Sequence, residues 1–98
     1  MPRQYSKDRR DTNEAALIKM MKWLAPNAVI VSMRPGQGFD LLWTTAGWSE
    51  HVEVKNPDER WKLTEQEIDM QARLEAIGRR LWILETERDV KSMWELLR

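Results

Sequence analysis

Hydrophobic positions along this chain recur at two different spacings, and the changes between them mark its elements. From Asp11, a candidate cap with Glu14 three residues later, Leu17, Met20, Met21 and Leu24 fall at i, i+3, i+4 and i+7, the stripe of an amphipathic helix. Ala25-Pro26-Asn27 ends that stripe. Ala28 to Met33 is an apolar run that predicts a buried strand, and Arg34-Pro35-Gly36-Gln37-Gly38 has the composition of a loop. Phe39 to Thr45 and Trp48 to Lys55 read as two further strands around Ala46-Gly47, and so as a hairpin. A charged loop, Asn56 to Lys62, follows. Thr64 with Glu67 forms a second capping box, before a helix whose buried face is expected at Met70, Leu74 and Ile77 and whose C-terminal cap is Gly78. Arg80 to Glu85 is a fourth strand. Thr86 caps a third helix carrying Val90, Met93, Trp94 and Leu97.

The order α-β-β-β-α-β-α predicts an α/β fold with a small, mixed four-stranded sheet flanked by helices. The crossover through the second helix makes the third and fourth strands parallel, and a right-handed connection is expected. A chain of 98 residues accommodates one domain, taken here as 1–98 with residues 1–8 flexible.

Composition narrows the chemistry. There is no Cys and a single His, His51, so disulfides, Cys-based zinc sites and His clusters are excluded. Any metal site would use carboxylates and carbonyls, the ligands of hard cations such as Mg²⁺ or Mn²⁺. Lys and Arg total 16, as do Asp and Glu, which argues against a general electrostatic coat for DNA. It leaves room for a nucleic-acid enzyme, because a bound divalent ion cancels local acidic charge. The polar N-terminus and the lack of a long apolar run point to a soluble, cytoplasmic protein with no membrane partner. Six Trp are many for this length; core filling accounts for most, and base stacking or dimer contacts are the other uses.

One constellation is hard to explain as structure. In His51-Val52-Glu53-Val54-Lys55 the valines share one face of a strand, and Glu53 and Lys55 share the other. A hairpin turning at Ala46-Gly47 pairs residues whose numbers sum to about 93, which sets Asp40 opposite Glu53. Like charges directly opposed on a sheet face are destabilising unless a positive charge lies between them. A divalent ion held by Asp40 and Glu53, with the Val54 carbonyl as a third oxygen, meets that need. Lys55 beside it would orient a metal-bound water or help deprotonate it, making a hydroxide for attack on a phosphodiester.

These residues resemble a known family. Asp40, twelve residues, then Glu53-Val54-Lys55 is similar to the D…(D/E)-x-K signature of the PD-(D/E)XK nucleases. RRDTNE (Arg9 to Glu14), GQGFDLL (Gly36 to Leu42) and VEVKN…KLTEQE (Val52 to Glu67) resemble, in order, segments of a phage-type VRR-NUC domain. The likeness runs over roughly residues 9 to 98. It implies a divalent-metal-dependent DNA endonuclease of phage or mobile-element origin, acting inside a bacterial host cell on branched, flap or junction DNA. It also brings Glu14 towards the metal as a helix-one ligand. Phe39 stands where the family has a Pro, and the family's helix-two Gln falls nearest Glu67, with Gln66 the adjacent alternative.

Each residue has a plainer explanation beside this one. Glu14 and Glu67 are also placed to cap their helices, and Glu53 and Lys55 would make an ordinary surface pair on an edge strand. His51 is a minor candidate base on the Glu53 face. Lys7, Arg9 and Arg10, and the loop residues Arg34, Arg60 and Lys62, are candidate phosphate contacts, or solvated surface charge. Arg79-Arg80 is read as answering a helix dipole. The small size and similar phage nucleases imply a homodimer. The rival functions are an inert DNA-structure-binding module on the same fold and a protein-interaction domain.

Overall fold

The computed structural model describes residues 13–98, which form the elements expected and in the expected order. These are α1 (Glu14–Leu24), β1 (Val29–Ser32), β2 (Leu41–Thr44), β3 (Ser49–Val54), α2 (Glu65–Ala76), β4 (Leu81–Leu84) and α3 (Glu87–Leu97). The strands lie in the order β1-β2-β3-β4 in one mixed sheet. β1-β2 and β2-β3 are antiparallel, and β3-β4 is parallel across the α2 crossover. Leu41 pairs with Val52 and Thr44 with Ser49. The expected register therefore holds, because the Thr45 to Trp48 turn is closed by the Thr45 N–H on the Trp48 carbonyl and fixes the offset.

Alternation along the strands then sorts the side chains. Leu41, Trp43, Val52, Val54 and Leu84 meet Leu17, Met21, Val90 and Met93 in the main core, under α1 and α3. Trp43 stacks on Trp94 at 6.1 Å and takes Trp48 edge-on at 5.0 Å, and with Trp82 four of the six tryptophans belong to or pack on that core. The opposite face carries Asp40, Glu53 and Lys55 towards α2, which packs along β4. Both α2 and α3 begin with complete capping boxes, Thr64 with Glu67 and Thr86 with Asp89. Gly78, at φ 79, lets α2 end and the chain re-enter the sheet.

Three details differ from the sequence expectation. β1 is an edge strand rather than a buried one: Val29 and Val31 are exposed and only Ile30 packs on the core. Its apolar run reflects pairing on one side alone, while α2 covers the far side of the sheet. Ile77 is exposed, because α2 stops at Ala76 and the chain turns away one residue before Gly78. Finally, α1 begins at Glu14 with Asn13 as its cap, so Glu14 is the first helical residue and not the third position of an Asp11 box. Asp11 lies outside the described residues. The Asn13 side chain makes no cap hydrogen bond, since it donates instead to the carbonyls of Lys55 at 3.1 Å and Glu85 at 2.7 Å. One amide thus ties the start of α1 to the ends of β3 and β4.

Candidate active site at the end of the central strands

The end of the sheet tied by Asn13 is also where the expected polar residues gather. Asp40 precedes β2, and its N–H donates to the Val52 carbonyl. The paired register ends at Leu41 with Val52, so the expected Asp40–Glu53 pair is not part of the ladder, although the negative charge of Asp40 acts on Glu53. The Asp40 carboxylate turns along the strand, where Oδ2 accepts the Val54 N–H at 2.7 Å. Val54 is therefore committed to Asp40 through its amide, and its carbonyl leaves the strand on the same edge.

Gly38 makes this approach feasible. At φ +90 it sits so close to α2 that an added Cβ would lie 2.9 Å from the Gln66 carbonyl and 3.0 Å from the Met70 Cβ. The glycine loop thus brings the first turn of α2 over Asp40. Gln66 itself is exposed, and its backbone rather than its side chain marks this contact.

Glu53 is only 3% exposed, a deeply buried carboxyl. Lys55 Nζ lies 3.4 Å from Glu53 Oε2 and 2.9 Å from Glu67 Oε1. Glu67 Oε1 also accepts the Thr64 N–H at 2.9 Å, so one oxygen both closes the α2 capping box and holds the lysine. Glu67 therefore caps α2 and pairs with Lys55 through the same oxygen. Glu53 Oε1, by contrast, is buried with no donor at all. An ionised Glu53 in that position is strongly disfavoured.

The electrostatics follow from this arrangement. Burial, a hydrogen bond with Glu67, and the negative charges of Asp40 and Glu67 push the Glu53 carboxyl up to about 10, against the pull of Lys55. Glu53 therefore carries a proton at neutral pH and donates it towards Glu67. Burial alone would raise Glu67, but its bonds with Glu53, the Thr64 amide and Lys55 leave it below the ordinary carboxylate range. Burial alone would lower Lys55, but Glu67 and Glu53 hold it above its ordinary value, so it stays an ammonium ion. His51 meets the Phe39 ring at a tilt of 58°, centroids 4.6 Å apart, and burial followed by the charge of Arg79 lowers its basicity.

Among the described residues no three or more His, Cys, Asp and Glu side chains form a ready-made metal cluster. The donor set fits a hard cation in its chemistry: two carboxyls close enough for the charge of one to act on the other, one of them with an orphaned buried oxygen that an ion would satisfy. Glu14 is buried at the first turn of α1, next to Asn13 and so at the same end of the sheet. Arg34, Arg60 and Lys62 are exposed and make no ion pair among the described residues. Lys7, Arg9 and Arg10 lie outside the described residues.

Sequence reasoning missed three features. Asn13 had no signal, since a lone amide between two polar residues looks like any loop position. Trp61 lies against the site, its Nε1 donating to Glu85 at 2.8 Å and its ring 5.7 Å from the Lys55 ammonium. A further buried carboxyl, Glu50, sits on the core face and accepts from Trp82 Nε1 at 2.9 Å and from Arg79 at 3.0 Å. Arg79 thus answers Glu50 rather than the α2 dipole alone. The shared parity of Glu50, Val52 and Val54 was the available signal, because a carboxylate on a core face requires a cation.

The chain matches no protein-family model and no curated protein. Among the described residues no helix is long and apolar enough to cross a membrane.

Proposed function

We propose that this domain is a divalent-metal-dependent DNA endonuclease of the PD-(D/E)XK type, acting on branched, flap or junction DNA. The observation that supports this reading most is the buried Glu53 carboxyl, one oxygen of which has no donor, with Lys55 beside it and the Asp40 carboxylate, held by the Val54 N–H, acting on it. Asp40, oriented by the Val54 N–H, and Glu53 would hold Mg²⁺ or Mn²⁺, with the Val54 carbonyl and Glu14 as further oxygens. The bound ion supplies Lewis acidity and lowers the pKa of its water.

The chain's own groups define the rest. Glu53 gives up its proton when it becomes a ligand. Lys55 remains charged, held between Glu53 and Glu67, and so orients a water or a phosphate oxygen rather than removing a proton. Glu67 positions Lys55. Arg34, Arg60 and Lys62 reach DNA phosphates from the exposed loops. A domain of this size offers little surface to a duplex, and a homodimer would bring two sites to two strands of a branched substrate.

One observation favours a second reading, an inert DNA-structure-binding module. Lys55 already pairs with Glu67 at 2.9 Å and lies 3.4 Å from Glu53, a neutralising arrangement that needs no reaction to account for it. Labelled four-way junction, flap and linear duplex, incubated with wild type or Lys55→Ala in Mn²⁺ or EDTA, distinguish the two. The nuclease reading predicts Mn²⁺-dependent cleavage of a branched substrate that is lost in Lys55→Ala. DNA binding without cleavage of any substrate supports the inert module.

A further inference from the structure

The connection from β3 to α2 carries in its second half the triplet Arg60-Trp61-Lys62, whose Trp61 lies beside Lys55 of the candidate site. All three side chains are exposed, and neither cation has an ion-pair partner among the described residues. Exposure of Trp is unusual in this chain outside two positions, Trp23 on α1 and Trp61. Only Trp61 stands beside the carboxyl cluster. It is fastened there: its Nε1 donates to Glu85 Oε2 at 2.8 Å, at the end of β4 where Asn13 also binds. Its ring centre is 5.7 Å from the Lys55 ammonium. The side chain is 38% exposed, with one edge held by Glu85 and the Lys55 ammonium over the ring, which leaves a fixed and partly open ring surface for a flat partner. A cation on either side of it in the sequence suits the alternation of phosphate, base and phosphate along a strand.

We infer that Trp61 is a stacking platform for an unpaired base beside the scissile phosphate, with Arg60 and Lys62 on the flanking phosphates, so that the site selects an unpaired strand over a duplex. A paired base keeps its faces covered by its neighbours and cannot present one to Trp61 without unstacking. An unpaired nucleotide at a flap or junction presents its face directly. This rests on the nuclease reading for the nature of the partner, and it adds which strand of that partner is held and by what.

The test measures binding without chemistry. Fluorescence anisotropy in EDTA compares a labelled 12-nucleotide oligo(dT) with a labelled 12-base-pair duplex, for wild type, Trp61→Ala, Trp61→Phe and Arg60→Ala/Lys62→Ala. Wild type is expected to prefer the single strand. Trp61→Ala should lose about tenfold in affinity for it, the size of one base-aromatic stack. Trp61→Phe should keep most of that affinity, and duplex binding should change in neither variant. In Arg60→Ala/Lys62→Ala the slope of log affinity against log salt should flatten by about 1.4, about 0.7 for each phosphate that is no longer neutralised. Trp61→Ala should leave that slope unchanged. Equal single-strand affinity for wild type and Trp61→Ala, with both folded by circular dichroism, overturns the inference. So does a wild type that prefers the duplex. Because no cleavage is needed, a strand-binding protein that never cuts would count against the nuclease alone. A nuclease indifferent to Trp61 would count against the platform alone.

Discussion

Replacing Glu53 by Gln should stabilise the metal-free protein, and the amount should grow with pH. In the folded protein the Glu53 carboxyl titrates near 10 against an ordinary value of 4.5. Between those values the folded state holds a proton that the unfolded state has released. Stability therefore falls as pH rises through this window, by at most about 1.4 kcal/mol per pH unit. At pH 7 a fully shielded group would have lost about 3 kcal/mol. Lys55 and water at the rim of the site reduce this, and about 1–2 kcal/mol is the expected figure. Gln has nearly the same shape, donates to Glu67 as the protonated acid does, and carries no proton to lose. Urea denaturation of wild type and Glu53→Gln from pH 4 to pH 9 reads the difference directly. The two should coincide near pH 4, and Glu53→Gln should pull ahead steadily above pH 5. A variant that is less stable than wild type, or a difference flat across the range, would refute the assignment of a proton to Glu53.

Three other substitutions test the supports of the site. Gly38→Ala forces a Cβ to 2.9 Å from the Gln66 carbonyl at a positive φ, and should destabilise by about 1–3 kcal/mol in urea denaturation. Asn13→Ala leaves the carbonyls of Lys55 and Glu85 without their donor, so a loss of about 1–3 kcal/mol is expected, with faster hydrogen exchange at the start of α1. Glu50→Ala strands the Trp82 Nε1 and unpairs Arg79, and should lower stability by about 1–3 kcal/mol while leaving Mn²⁺ affinity unchanged, since Glu50 faces the core and not the candidate site.

The parts of the fold that were legible in the sequence are those set by local spacing. The hairpin register follows from a short turn and the period of two as far as Leu41 with Val52; Asp40, one residue beyond, bonds the Val52 carbonyl instead of continuing it. Capping boxes at Thr64 and Thr86 are equally local. The misreadings arise where one pattern has two tertiary outcomes. Val29-Ile30-Val31 is as apolar as a central strand, but its valines lie on the face away from the main core, and α2 packs along β4 at the other edge of the sheet, so they stay exposed. Ile77 continues the spacing of Leu74, yet the helix has already ended.

The same limit applies to the candidate site. Glu53 and Lys55 were visible as a charged pair on a strand, but their burial depends on α2, whose approach depends on Gly38. Glu67 has the spacing of a capping residue and is one. That its oxygen also holds Lys55 is a long-range contact that no spacing announces. Asn13 and Trp61 belong to the same class, each tied to Glu85 from a distant part of the chain.

The central claim is that Asp40 and Glu53 together hold a divalent ion, and calorimetric titration with Mn²⁺ tests it most directly. Wild type should bind one or more Mn²⁺ at pH 7 with release of a proton, seen as a binding enthalpy that changes with the ionisation enthalpy of the buffer. Asp40→Asn and Glu53→Gln should each weaken binding by about tenfold or more, Glu53→Gln without proton release. Wild-type affinity in both variants, or no Mn²⁺ binding by a folded wild type, would contradict the claim and leave the carboxyl pair as a structural feature of the sheet end.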